Sequence, residues 1–271
     1  MKKEKSNVIA SILLVLFCLA VILPLLTILL WVVTERWAWP DLLPGTLSLR
    51  AVRSVFRDGR ELAMVFSSSV LISLAVAALA VLVGMMTARA LECYAFFGRT
   101  FFSFLSLLPF VVPASVFAMG IQVLFLRIGL GGNAGGVIFV HLICSLPYAV
   151  QLLQDGTRGL GIRLEEQARV LGAGPLTAFR RVTLPNLLPV ILSAFSMSYI
   201  VSFSQYFLTL IIGGGNVKTF TIVMVPFLTG GERNFASIYS VIFLMVTIVI
   251  FGVFELVTRR IMKNRDVEYF S

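Results

Sequence analysis

Six long apolar runs separated by short polar segments restrict this chain more than any other feature of its sequence. They lie at Val8–Val33, Leu62–Ala88, Phe101–Ile128, Gly136–Leu153, Leu187–Ile212 and Ala236–Thr258. Each is close to the roughly 20 residues that a helix needs to cross about 30 Å of hydrocarbon. Lipid offers no hydrogen-bond partner, so backbone N–H and C=O groups must pair within each segment, which makes the segments helices. A soluble domain of 271 residues could not hide the surface of a chain that is 59% hydrophobic and 13% charged. The fold expected is an all-α polytopic membrane protein with six transmembrane helices. A first helix and an extracytoplasmic loop occupy 1–61, and a five-helix core fills 62–271.

Basic residues set the sidedness. Outside the spans, 14 Lys and Arg fall on the side shared by both termini, the 89–100 segment and the 154–186 loop. The opposite side holds 7, with Arg127 at the rim of the third span. Cytoplasmic flanks are the basic ones, so both termini are expected to be cytoplasmic. The net charge of +9 then reflects flanks facing an anionic leaflet rather than a nucleic-acid partner. Lys2, Lys3 and Lys5 ahead of the first run imitate a signal peptide. The apolar run is about twice a signal-sequence core, which marks a retained span. Trp31, Trp37 and Trp39 belong at the outer interface. Arg50, Arg53 and Arg57 alternate with Leu49, Val52 and Phe56, which predicts a short helix lying on the surface.

The longest block too polar for lipid runs from Glu165 to Pro189. Leu164, Ala168 and Leu171 recur at helical spacing, with Glu165 and Glu166 at the start and Arg169 at the end, as a helix dipole prefers. Gly172 follows as a C-terminal stop. Gly174-Pro175 opens a second short helix through Arg180-Arg181, and Leu184-Pro185 leads into the next span. The block reads as a compact helix-turn-helix on a membrane surface.

Glu166-Gln167-Ala168, Gly172-Ala173, Phe179 and Leu184-Pro185 resemble the EAA loop in the membrane subunits of type I ABC importers, the binding-protein-dependent permeases. Gln167 departs from the usual alanine. The resemblance implies a coupling helix, between spans four and five, that docks in a groove of a cytoplasmic ATPase. In that reading Glu165, Glu166, Gln167, Ala168, Gly172, Ala173, Phe179, Leu184 and Pro185 form the coupling element. Glu166 would anchor it, Ala168 would pack close and Gly172 would permit the sharp exit. The family further implies an ABC ATPase dimer, a second permease subunit of distinct sequence, an extracytoplasmic solute-binding protein and a bacterial inner-membrane location. The Trp37–Pro44 block with Ser48-Leu49 is similar to permeases for polyamines, thiamine, iron and phosphonates, which implies a small hydrophilic solute.

The third span carries Pro109, Pro113 and Gly120. Its prolines read equally as a packing kink and as the family's third core helix. In the fifth span Ser198, Ser202, Gln205 and Thr209 share one helix face, with Tyr199 and Tyr206 on an adjacent strip. Such a stripe is either helix–helix glue in lipid or the wall of a translocation pathway. The resemblance weighs toward the pathway, because this helix follows the coupling loop. Phe220–Leu228 is apolar but too short to cross, which predicts a helix tucked between spans.

Ionisable groups within spans are few. Glu255 and Arg259, four residues apart, predict an ion pair, and His141 reads as a hydrogen-bonded packing residue. Cys18, Cys93 and Cys144 are isolated, the first and last within spans and Cys93 in a loop, and they suit neither a disulfide nor a metal site. The stretch Gly213–Thr219 lacks the glycine before lysine that a phosphate loop requires. No nucleophile–base pair or metal-ligand spacing is present, so the chain is expected to be no enzyme and to carry no cofactor, with ATP bound by the partner. The rival reading is a secondary carrier or channel without an ATPase, which would lack its usual carboxylate ladder.

Overall fold

The computed structural model describes residues 2–37, 41, 44–57 and 59–268, so Trp39 and much of the Trp37–Pro44 block lie outside the described residues. The chain is nearly all helix. In order come α1 (Lys2–Val32), a two-stranded antiparallel ribbon of β1 (Thr34–Arg36) and β2 (Thr46–Leu47), α2 (Arg50–Arg57) and α3 (Gly59–Cys93). Then follow α4 (Arg99–Val111), α5 (Ala114–Arg127), α6 (Ala134–Leu160), α7 (Arg163–Val170) and α8 (Pro175–Ala178). A π-helical turn at Phe179–Thr183 leads into α9 (Leu184–Phe203), and α10 (Phe207–Gly213), α11 (Phe220–Thr229) and α12 (Arg233–Glu268) complete the chain. Among the described residues, five helical segments are long and apolar enough to cross a membrane, and α4 with α5 make a sixth if the bent pair counts as one span. The expected short helix at Phe220–Thr229 is present.

Two compact units divide the chain: Met1–Ala63 with Val223–Val246, and Met64–Ile222 with Thr247–Ser271. In the first, Asn234 Nδ2 donates to the carbonyls of Thr34 (2.9 Å) and Glu35 (3.3 Å), fixing the strand ribbon. Helix α2 forms where its arginines predicted, but Ala51 and Val55 are the side chains it buries, against Ile238. Leu49 and Phe56 point outward instead. Trp31 and Trp37 lie 5.3 Å apart between ring centroids.

The second unit holds two apolar cores built along α3 and α6. One gathers Ile72, Val76, Phe125, Val140, Leu208 and Ile212; the other gathers Ala80, Met85, Ala149, Leu153, Leu187 and Ala194. Apolar burial gains little in lipid, so close backbone approach through small residues does much of the packing. A Cβ on Gly84 would meet Ala149 Cβ at 3.1 Å, and one on Gly156 would meet Val190 Cγ1 at 2.8 Å.

The third span bends at its prolines, the kink that their positions allow: α4 and α5 meet at 104°. Pro113 forces Val112 into extended backbone (φ −84°, ψ 123°), which ends α4. The fifth span is likewise interrupted between Phe203 and Phe207. Conversely, Pro175–Phe203 is one continuous helix, so the second short helix of the loop merges with the span. Pro185 offers no N–H to that helix. The turn before it widens to π geometry, with Leu184 N–H bonded to the Phe179 carbonyl and Asn186 Nδ2 bonded to the Val182 carbonyl at 2.8 Å. Cys93 ends α3 rather than sitting in a loop.

Gly136 is the tightest of the glycines: a Cβ there would fall 1.9 Å from the Leu130 carbonyl oxygen, whereas Gly159 in the same helix has open space. Gly136→Ala is therefore expected to cost about 1–3 kcal/mol, as overpacking does. Gly159→Ala should be neutral or stabilising. Thermal unfolding of the two purified variants side by side checks the difference.

Candidate functional site

The site is built around α7, an eight-residue helix held between two glycine joints. Gly161 (φ +69°) closes α6, and Gly172 (φ +92°) closes α7. Both occupy the left-handed region that side chains with a Cβ avoid. At the second joint Ala173 N–H bonds the Ala168 carbonyl and Gly172 N–H bonds the Arg169 carbonyl, each at 3.0 Å. This is the paired bonding of a glycine-closed helix end.

The apolar face anticipated from Leu164, Ala168 and Leu171 does not pack inward. Val170 and Leu171 are each 88% exposed, Leu164 is exposed, and Leu176 beyond the joint is exposed as well. Ala168 is half-buried, and Glu166 and Gln167 face outward. Glu165 alone among the residues of α7 is buried. The reason is a partner that spacing within the loop could not reveal. Arg89, near the end of α3, places Nη2 2.9 Å and 3.2 Å from the two Glu165 carboxylate oxygens. Thr183 Oγ1 donates to Glu165 Oε2 at 2.7 Å. The Arg89 guanidinium also lies over the Phe179 ring, 4.8 Å from its centroid. A carboxylate out of water is costly unless paired and hydrogen-bonded, and here both conditions are met.

One turn further along α3, Glu92 accepts from Gln154 Nε2 (2.6 Å) and Arg158 Nη2 (2.8 Å) of α6. The two ties leave one end of α3, at i and i+3, toward α7 and toward α6. Among the anticipated loop residues, Phe179 packs beside the Ala80–Ala194 core, Ala173 and Pro185 are half-buried, and Leu184 is exposed. Arg89 and Thr183 escaped the sequence reading. The only signal was a charged pair 76 residues apart, one member at the end of an apolar run and the other at the start of the polar block.

The polar stripe of the fifth span resolves into two parts. Ser202 Oγ and Thr209 Oγ1 each lie 3.0 Å from a ring nitrogen of His141, on either side of the imidazole. These bonds tie α6 to both halves of the interrupted span, the glue reading for Ser202 and Thr209, and His141 packs as anticipated. Ser198 and Tyr199 are fully buried too, so these four do not line an open wall. Gln205 and Tyr206 differ: they occupy the break itself and are half-buried. The break is stabilised by hydroxyls, since the Gln205 carbonyl accepts from Thr209 Oγ1 (2.9 Å) and Thr221 Oγ1 (3.0 Å). On α12, Arg259 Nε bonds Glu255 Oε1 at 2.7 Å, the anticipated pair.

Comparison with known proteins bears on this arrangement. Residues 80–263 match the family model of the binding-protein-dependent transport system inner membrane component. The spermidine/putrescine transport system permease of Escherichia coli strain K12 is 25% identical over 183 residues, covering 68% of this chain and 69% of that protein. A Salmonella typhimurium permease named for 2-aminoethylphosphonate transport is 23% identical over 261 residues, 96% of each chain. Among solved structures, a bacterial ABC transporter involved in import of the acidic polysaccharide alginate superposes with a TM-score of 0.70. It is 17% identical and covers 94% of this chain and 97% of the other, which speaks to fold.

Thr183→Val keeps the shape of the side chain and removes a hydrogen bond to a buried carboxylate. A loss of about 1.5–3 kcal/mol is expected, as for bonds to charged groups. A lower midpoint in thermal unfolding, with Thr177→Val at an exposed position as the control, checks it.

Proposed function

The chain belongs to the family of binding-protein-dependent transport system inner membrane components, and we propose that α7 is the element through which a separate ATPase drives it. The protein is a multi-pass permease subunit of an ATP-driven importer in the bacterial inner membrane. The observation that carries the reading of α7 is its inverted polarity. A short helix turns Val170, Leu171 and Glu166 to solvent while its carboxylate at Glu165 is spent inward. Exposed apolar side chains on a rigid, polar-anchored projection suit a partner groove.

In this reading both termini and α7 face the cytoplasm, and ATP is bound and hydrolysed on the partner, not on this chain. Glu166, Gln167, Val170 and Leu171 meet the ATPase, while Gly172 permits the sharp exit. Phe179, Leu184 and Pro185 lie in the continuous helix that carries movement into α9. A second permease of distinct sequence completes the membrane part, and an extracytoplasmic binding protein delivers a small hydrophilic solute. The relatives named for spermidine/putrescine and for 2-aminoethylphosphonate support that solute class. Moving the permease between states populated 1:99 and 99:1 needs about 5.5 kcal/mol of differential binding. Docking that differs between nucleotide states supplies it.

The translocation pathway runs past the break at Ser204–Tyr206. Interrupted helices in transporters commonly mark the places where polar backbone and side chains meet solute. Gln205 and Tyr206 present an amide and a phenol there, while Ser202 and Thr209 hold both halves of the span to α6 through His141.

Reconstituted with its ATPase, second permease and binding protein, Glu166→Lys should hydrolyse ATP without matching uptake. Uptake per ATP at the unmodified value would remove the coupling role. Gln205→Leu should reduce uptake while leaving the complex assembled on size-exclusion chromatography; normal uptake by this variant removes Gln205 from the pathway.

A further inference from the structure

Helix α7 has a mechanical problem that its own sequence does not solve. It hangs between two left-handed glycines, Gly161 and Gly172, and at neither would a Cβ meet an atom within 4 Å. Neither joint is therefore packed against a neighbour, and packing there does not set the angle of the helix. Nor does apolar packing, since no hydrophobic side chain of α7 is buried. Among the residues of α7 Glu165 is the buried one, and it bonds α3 through Arg89 and the π turn through Thr183.

We infer that Arg89 and Glu165 are positioning residues that make the end of α3 travel with α7, so that force applied to α7 enters α3 as well as the spans the chain joins to it. Covalent routes lead back through Gly161 into α6 and on through Pro175–Phe203 into α9. The clamp adds a route into α3, whose end is in turn bonded through Glu92 to Gln154 and Arg158 of α6. Three features suit the pair to transmitting force. The carboxylate accepts three contacts from two elements, so it cannot swing about one bond. The guanidinium is restrained from its face by Phe179. Both side chains are largely withdrawn from water, at 16% and 11% exposed, so salt screens the pair weakly. Buried ion pairs add less to stability than to the definition of one geometry, which is the property a linkage needs. The inference rests on α7 being the coupling helix.

The test is a distance. With Cys18, Cys93 and Cys144 replaced by serine, spin labels go on Tyr94→Cys, one residue past α3, and on Arg163→Cys, the first residue of α7. In the full complex the 94–163 distance should be narrow and the same with and without ATP. Arg89→Ala should broaden it and make it respond to ATP, and Arg89→Lys, which keeps charge but not the planar contact with Phe179, should give an intermediate width. A distance that already shifts with ATP in the unmodified clamp overturns the inference, as does an Arg89→Ala distribution as narrow as the parent. If Arg89→Ala fails to fold, Arg89→Lys decides: broadening supports the clamp, an unchanged width removes it. Failure of the ATPase to co-purify with the unlabelled chain is a separate result that counts against α7 as the coupling helix.

Discussion

A carboxylate removed from water on a short helix that buries no other side chain is the constraint around which this structure is arranged. Left unpaired, Glu165 would cost several kcal/mol. Pairing it requires a cation from a distant part of the chain and a donor from the turn that follows. Arg89 and Thr183 meet it only if the end of α3, helix α7 and the π turn stand in one relative position. The ion pair thus selects a geometry that glycine joints and exposed leucines would leave open. The outward surface of α7 is free to be apolar because the inward surface is not.

The interrupted helices follow a related rule, that polar backbone within the membrane must find partners wherever regular bonding stops. At Pro113 the chain turns through 104°, yet Val112 N–H still bonds the Leu108 carbonyl and the Pro113 carbonyl accepts from Phe117 N–H, so regular bonding resumes at once. At Ser204–Tyr206 the exposed carbonyl of Gln205 collects two threonine hydroxyls, one from its own next turn and one from α11. His141 bridges the halves from α6. A break stabilised from several sides can sit at a functional position without unravelling the helices it joins.

Small residues supply the remaining order. Gly84 and Gly156 bring α3 and α9 against α6 at distances that leave no room for a methyl group without adjustment. The π turn lets a helix that begins outside the membrane continue past Pro185 without ending. Together with the clamp, these contacts tie α3, α6, α7 and α9 to one another.

Much of this was open to reading from composition and spacing alone. Six apolar runs fixed a helical membrane protein, because length against bilayer thickness and the absence of water leave no other fold. The glycine at 172 and the ion pair of Glu255 with Arg259 follow from local rules that act over a few residues. What the spacing could not give is direction. Leu164 and Leu171 keep helical period whether they face the protein or a partner, and only the position of Arg89, 76 residues away, decides that Glu165 turns inward and they turn out. In the same way the stripe from Ser198 to Thr209 is legible as polar, but its spacing is that of one unbroken helix. The break after Phe203 depends on Thr221 and His141 arriving from other helices to satisfy it. Local chemistry determines which segments become helices; tertiary contacts, which join groups far apart in the chain, determine which way those helices face and where they can stop.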